Sequence, residues 1–402
     1  NVAQLSALHI AVLMKNMSMV QALTRVKGVR VDIRGSRGRT PLYEAVQLDE
    51  LPIVTHLIQR GADPKKCDSS GKSVFHAACG AGASVGTLDL LLALEGVYLN
   101  LTDKAGWQPI HVAASNGYSS TVDYLLQRGA DLEAVNRAGL TSLHVAASYG
   151  KVNVLQLLMD RGHRINCAQR SGLTPLHLAC SNMHSLCVEL LIREGALLTL
   201  VNSQGRLPLH SAVLSQKLEI VKLLCESAAF DPQQFVQRDN FQWTPFALAC
   251  GRGASEIVTY ILTFSGVIDP LIHACNRLGS SPLHIAASMG QAANVQALVQ
   301  ARAPLEMIDL QGFIPLFSAI YHGNLETVQL LIDAGSDVHH VSEHAMTAMH
   351  VCASRGHFHL VDYLASHGVE INRENSDGIT PLMQSVLLDA TEGHVTMIHA
   401  LH

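Results

Sequence analysis

The phrase Thr-Pro-Leu-His-Leu-Ala at Thr174–Ala179 returns, in altered form, along the whole chain. Aligned on the position of Thr174, the series is Ser6, Thr40, Ser73, Gln108, Thr141, Thr174, Leu207, Thr244, Ser281, Ile314, Thr347 and Thr380, at intervals of 33 to 37 residues. Twelve copies leave nothing over for a second domain, so the sequence predicts one repeat array over 1–402, with two lengthened repeats at 207–280. A unit this short cannot bury its own apolar face and must stack on its neighbours.

Each copy spells the same local structure. In the repeat that starts at Thr141, the hydroxyl is placed to cap a helix. Proline follows the cap in eight copies, at a helical position where its missing N–H costs nothing. Leu143, Val145, Ala146 and Ala147 predict a short first helix with a small-residue face, ended near Gly150. Val152, Leu155, Leu157 and Leu158 have the spacing of a second, amphipathic helix, ended near Gly162. A loop of about ten residues then leads to the next cap.

The histidine three residues after the cap recurs at His9, His76, His111, His144, His177, His210, His284 and His350. Eight evenly spaced copies cannot be eight active sites. An imidazole in the first turn can bond the cap hydroxyl and nearby loop backbone, one ring nitrogen donating and the other accepting. The histidine is replaced by Tyr43, Ala247, Phe317 and Met383, and Gln108, Leu207 and Ile314 are poor caps, so those repeats are expected to be locally weaker.

The pattern resembles the ankyrin repeat. Thr174–Ala179 matches that family's signature, Ser281–Ala286 (Ser-Pro-Leu-His-Ile-Ala) comes close, and Gln108–Ala113 and Thr141–Ala146 differ by one or two residues. Arg60–Asp63, Arg128–Asp131 and Asp333–Val338 match its second-helix ending. The resemblance implies an all-α solenoid of stacked antiparallel helix pairs with hairpin-like finger loops. It also implies a concave groove that binds proteins or peptides, without catalysis or cofactor. A further implication is hydroxylation of finger-loop asparagines that follow a leucine by eight residues; Asn100, Asn166 and Asn372 fit, with Leu92, Leu158 and Leu364.

Other chemistry finds little support. Ser-Gly-Lys-Ser at Ser70–Ser73 lacks the earlier glycine of a phosphate loop, since that position is Lys66. His339, His340 and His344 share one finger loop but lack the ordered four-ligand set of structural zinc, so no metal site is assigned. The net charge of −5 does not point to nucleic acid. Nine cysteines without a CxxC suggest free thiols and a cytoplasmic setting. No apolar run long enough for a membrane span occurs, and the start at Asn1 and the unpolarised ends lead us to expect more chain on one or both sides.

Groove positions are the residue before each cap and the end of each first helix. Among them Trp107, Tyr149, Trp243, Arg252, Phe313 and Tyr321 are the expected partner anchors, because aromatics and arginine dominate interface energetics. The basic first hairpin, with Arg34, Arg37 and Arg39, is a candidate for an acidic peptide or anionic lipid. The four extra residues in each lengthened repeat are expected in the finger loops, extending the hairpin or bending the stack. The leading role is a protein-interaction scaffold or adaptor. The alternatives are a mechanical spring or spacer, the cytosolic arm of a membrane channel, and the targeting arm of an enzyme encoded outside this stretch.

Overall fold

A computed structural model describes residues 5–387. The last residues of the twelfth copy, including Val395, Met397, Ile398 and Leu401, lie outside the described residues. The chain divides into two compact units, 1–197 and 198–402. Among the described residues there is no strand; the elements are short α-helices and 3-10 turns.

The first unit holds six helix pairs: Ala7–Leu13 with Met17–Arg25, Pro41–Gln47 with Leu51–Gln59, Val74–Ala81 with Val85–Leu92, Pro109–Asn116 with Ser119–Gln127, Ser142–Ser148 with Val152–Asp160, and Pro175–Ser181 with Ser185–Arg193. First helices pack on the first helices of adjoining repeats, and second on second. The sequence predicts the reason: Leu143, Val145, Ala146 and Ala147 are all buried, and the small residues let backbones approach. In the second helix the buried face is Val154, Leu155 and Leu158. Val152 and Leu157, also expected there, are only half-buried, because they flank that face.

The second unit repeats the scheme with Pro208–Leu214 and Leu218–Cys225, Pro245–Arg252 and Ser255–Ile261, Pro282–Ser288 and Ala292–Gln300, Pro315–Tyr321 and Leu325–Asp333, and Ala348–Arg355 and Val361–Ser366, then Pro381–Leu387. Its two lengthened repeats depart from expectation. Their extra residues do not extend the fingers. They form a 3-10 turn at Pro232–Val236 and a turn-plus-helix at Ser265–Val267 and Ile268–Ile272, all ahead of finger turns of ordinary length. Asp231 caps the first, accepting from the Gln233 amide at 2.9 Å. The fully buried Phe235 meets Phe230 and Phe264 edge-on, with ring centres 5.1 and 5.3 Å apart. The inserted residues therefore add core.

No single helix among the described residues is long and apolar enough to cross a membrane. One pair bent by 89°, Ser255–Ile261 with Ser265–Ile272, passes on composition. Its apolar side chains Ile257, Val258, Ile261, Val267 and Leu271 are buried in the second unit, which accounts for that composition.

Candidate functional site

The fingers and the first helices are held by one recurring bond network, and that network sets where groove side chains stand. The residue five before the cap is usually Asp or Asn. Asp103 shows its use: Oδ1 accepts from the amides of Ala105 (2.8 Å) and Trp107 (2.9 Å), while the Asp103 amide donates to the Trp107 carbonyl (2.9 Å). Asp68, Asn136, Asn202, Asp239, Asn276, Asp309 and Asn375 do the same work in their fingers. The sequence reading missed this position, although its fixed offset from the cap is visible once the fingers are aligned.

The histidines close the network. The Ser73 amide and hydroxyl reach Nδ1 of His76 at 3.2 and 2.8 Å, and Nε2 lies 2.9 Å from the Trp107 carbonyl in the next repeat. An amide can only donate, so Nδ1 accepts and the ring proton sits on Nε2. The same link runs from His9 to Arg39, His111 to Leu140, His144 to Leu173, His210 to Trp243, His284 to Phe313 and His350 to Ile379. Burial pushes the imidazoles of His76, His111, His144, His284 and His350 below their usual value, His144 to about 4. They are neutral structural pins. At Gln108 and Leu207 the histidine keeps the cap amide, but no cap hydroxyl exists; at Ile314, paired with Phe317, packing alone remains.

The pre-cap residue thus has both backbone groups fixed, and its side chain is presented rigidly. In the second unit this brings four expected anchors together. A cleft of about 330 Å³ is lined by Trp243, Leu278, Ile285, Met289, Phe313 and Tyr321, among others. A second, of about 380 Å³, is lined by Arg206, Trp243, Leu248, Arg252, Ile285 and Met289. Trp243, Ile285 and Met289 line both. Phe313 meets Phe317 edge-on and Tyr321 at a tilt, with ring centres 5.8 and 6.1 Å apart, and the Arg355 guanidinium lies 4.5 Å from the Tyr321 ring centre. Arg252 is exposed, and Met289 is 58 % exposed. The Asp239 carboxylate is consumed by finger amides and Arg206 (2.9 Å), so it adds no free charge. Leu278 and Ile285 were not foreseen; Leu278 sits on a finger tip, a position the sequence reading did not treat as groove-lining.

In the first unit Tyr149 is 53 % exposed and Trp107 is half-buried. They line none of the clefts described here. Arg34, Arg37 and Arg39 stand together on the first finger, but two of them are engaged. Arg34 donates to the Cys67 carbonyl (3.2 Å), and Arg39 bonds Gln47 (3.0 Å), approaches Glu44 (3.5 Å) and lies 5.0 Å from the Tyr43 ring centre. Arg37 is exposed.

Asn100 and Asn372 are exposed. Asn166 is spent on the next repeat: Oδ1 accepts from the Leu197 amide at 2.9 Å, and Nδ2 faces the Gly195 carbonyl at 3.4 Å. Asp32, Glu133 and Glu306 occupy the same register and likewise accept from amides of the following repeat, those of Asp63, Arg164 and Asp337. This position is therefore an inter-repeat staple. Among the described residues no group of three or more His, Cys, Asp or Glu is arranged to hold a metal ion.

Comparison with known proteins fits this geometry. The model of the family "Ankyrin repeats (3 copies)" matches seven overlapping stretches, 1–68, 47–136, 75–169, 143–236, 232–309, 265–342 and 316–401. Ankyrin repeat domain-containing protein 63 of Mus musculus is 37 % identical over 101 residues, which are 25 % of this chain and 26 % of that protein. The B-cell lymphoma 3 protein homolog of Mus musculus is 34 % identical over 132 residues, 31 % of this chain and 29 % of that protein. NF-kappa-B inhibitor alpha of Sus scrofa is 31 % identical over 134 residues, 32 % of this chain and 43 % of that protein. The matches thus span less than half of each of these relatives. The crystal structure of the ankyrin repeat domain of Bcl-3 aligns at 30 % identity with a TM-score of 0.44, over 55 % of this chain and 99 % of that one. With the family model matched from one end to the other and helix pairs joined by fingers recurring through the described residues, this chain belongs to the ankyrin-repeat family.

Proposed function

We propose that the chain is a non-catalytic scaffold whose second unit grips an extended segment of a protein partner across Trp243. Ankyrin repeats are protein-interaction modules, and that coarser statement follows from the family. The finer one rests on a single observation: two adjoining clefts share the Trp243 wall and are edged by Met289, Arg252, Phe313 and Tyr321. Rigid aromatic walls beside small clefts accept apolar side chains at low entropic cost. Spacing of the clefts along one groove suits an extended segment. The nine free cysteines, several fully buried, support a reducing compartment, and we place the chain in the cytoplasm. The test is selection from a random-peptide library against the full chain, followed by affinity measurement with Trp243→Ala and Arg252→Ala. Selected peptides should quench or shift tryptophan fluorescence and lose about tenfold or more in affinity to Trp243→Ala, as a hot-spot aromatic does. Selected peptides that bind both variants as tightly as the parent would rule this groove out.

A further inference from the structure

The five described fingers of the first unit, at 33–39, 66–72, 101–107, 134–140 and 167–173, carry eight Lys or Arg and two Asp. The six fingers of the second unit, at 200–206, 237–243, 274–280, 307–313, 340–346 and 373–379, carry four Lys or Arg and five Asp or Glu. The two acids of the first set are already used. Asp68 accepts from the Ser70 and Lys72 amides, the Ser70 hydroxyl and the Tyr43 hydroxyl, and Asp103 from its own finger amides.

The cations are in file. Lys104, Arg137 and Arg170 occupy the same register, four before the cap, on three successive fingers, and all are exposed. The fingers are joined edge to edge: the amides of Lys104, Arg137 and Arg170 donate to the carbonyls of Ser70, Ala105 and Ala138 at 3.1, 3.2 and 3.3 Å. Each side-chain stem lies where the preceding finger has a glycine. A Cβ on Gly71, Gly106 or Gly139 would stand 3.0, 2.9 and 2.9 Å from the Cγ of Lys104, Arg137 and Arg170 respectively. Among the described residues none of these three cations is ion-paired, nor is Arg37 or Lys72; the Lys104 ammonium donates to the Ser69 carbonyl at 2.8 Å, a neutral partner that leaves its charge uncompensated.

We infer that this finger row docks an extended acidic segment of a protein partner, with carboxylates about three residues apart. Stacked repeats sit about 10 Å apart, and an extended chain advances about 3.3 Å per residue, so every third side chain meets the next cation. One cation per finger in single file matches a linear polyanion, whereas a lipid surface favours charge spread over a plane. The inference concerns residues of the first unit, none of which lines the Trp243 clefts, and does not depend on them.

The experiment is fluorescence anisotropy of the full chain with a labelled peptide of roughly ten residues, Glu at every third position. A second peptide of equal composition has its Glu clustered at one end. Phosphatidylserine-containing vesicles and oligo(dT) serve as competitors. The spaced peptide should bind at low salt, weaken as salt rises, and bind better than the clustered one. The combined variant Lys104→Ala, Arg137→Ala, Arg170→Ala should lose about tenfold, from two- to threefold per exposed charge pair. Arg137→Lys with Arg170→Lys should retain binding, and so should Trp243→Ala. Absence of binding, equal binding of the clustered peptide, retention by the folded triple-alanine variant, or tighter capture by vesicles or oligo(dT) would each overturn the inference.

Discussion

His144 shows what a single residue contributes. Its Nδ1 accepts from the Thr141 amide (3.3 Å) and hydroxyl (2.9 Å), and its Nε2–H donates to the Leu173 carbonyl (3.1 Å). Protonation would place a second hydrogen on Nδ1, against an amide N–H, inside a buried site. Burial first, with a smaller push from His163, lowers its value to about 4 against 6.5 for a free imidazole, and the bond to the Leu173 carbonyl opposes that shift only in part. Between those values the unfolded chain binds a proton that the folded chain refuses. Stability is therefore complete above about pH 6.5 and falls as pH drops toward 4, by about 3 kcal/mol for this residue if the whole difference is expressed. His76, His111, His284 and His350 shift in the same direction and steepen the loss. Urea titrations at pH 7, 6 and 5 should show a falling midpoint, and NMR of the His144 ring should show it still neutral at pH 5.5. A midpoint unchanged from pH 7 to 5 would mean that these rings titrate normally. Their structural role was legible in the sequence because equal spacing excludes chemistry. The turn made by Asp103 and the staple made by Glu133 were not read, since attention to one register position hides what the others do.

Helix identity was legible for the same reason: cap, proline, small residues and glycine agree in most repeats, and where one is missing the others hold the register. The lengthened repeats show where sequence alone fails. A four-residue excess looks like surface loop, because loops absorb length cheaply. What decides otherwise is Phe230, Phe235 and Phe264, whose ring contacts join residues up to 34 positions apart. Tyr260 extends the cluster, with its ring 5.5 Å from Phe264 and the Lys222 ammonium 5.5 Å from its centre. No local pattern announces such a meeting. Phe235→Ala should therefore cost about 3–5 kcal/mol, the usual price of emptying a fully buried aromatic site. Thermal unfolding of the variant should show the loss, and hydrogen exchange should place it in residues 218–285. A loss below about 1 kcal/mol would mean that the inserted turn is an ornament on an otherwise complete repeat.

At the scale of the whole molecule, stability is a sum of repeat terms and neighbour terms. The polar neighbour term is unevenly spread. In the first unit His9, His76, His111 and His144 each reach a carbonyl of the next finger, and Tyr43 reaches its own next finger by another bond, its hydroxyl donating to Asp68 at 3.4 Å. In the second unit His210, His284 and His350 make it, while Ala247 and Phe317 alternate with them and cannot. The carbonyls of Ser280 and Met346 close only their own fingers, accepting from Asn276 and Ser342. A hydrogen bond of this kind contributes about 1 kcal/mol net, which is roughly a fivefold change in a local opening equilibrium. Amides at 279–285 and 345–351 should then exchange several-fold faster than their counterparts at 139–145, with the linked segment 312–318 between them slower than both. Native-state hydrogen exchange resolved by mass spectrometry measures this directly. An alternating profile in the second unit would show that the histidine link sets local opening. Equal protection across these segments would show instead that apolar stacking, as at the fully buried Ile314 and Phe317, carries the neighbour term by itself.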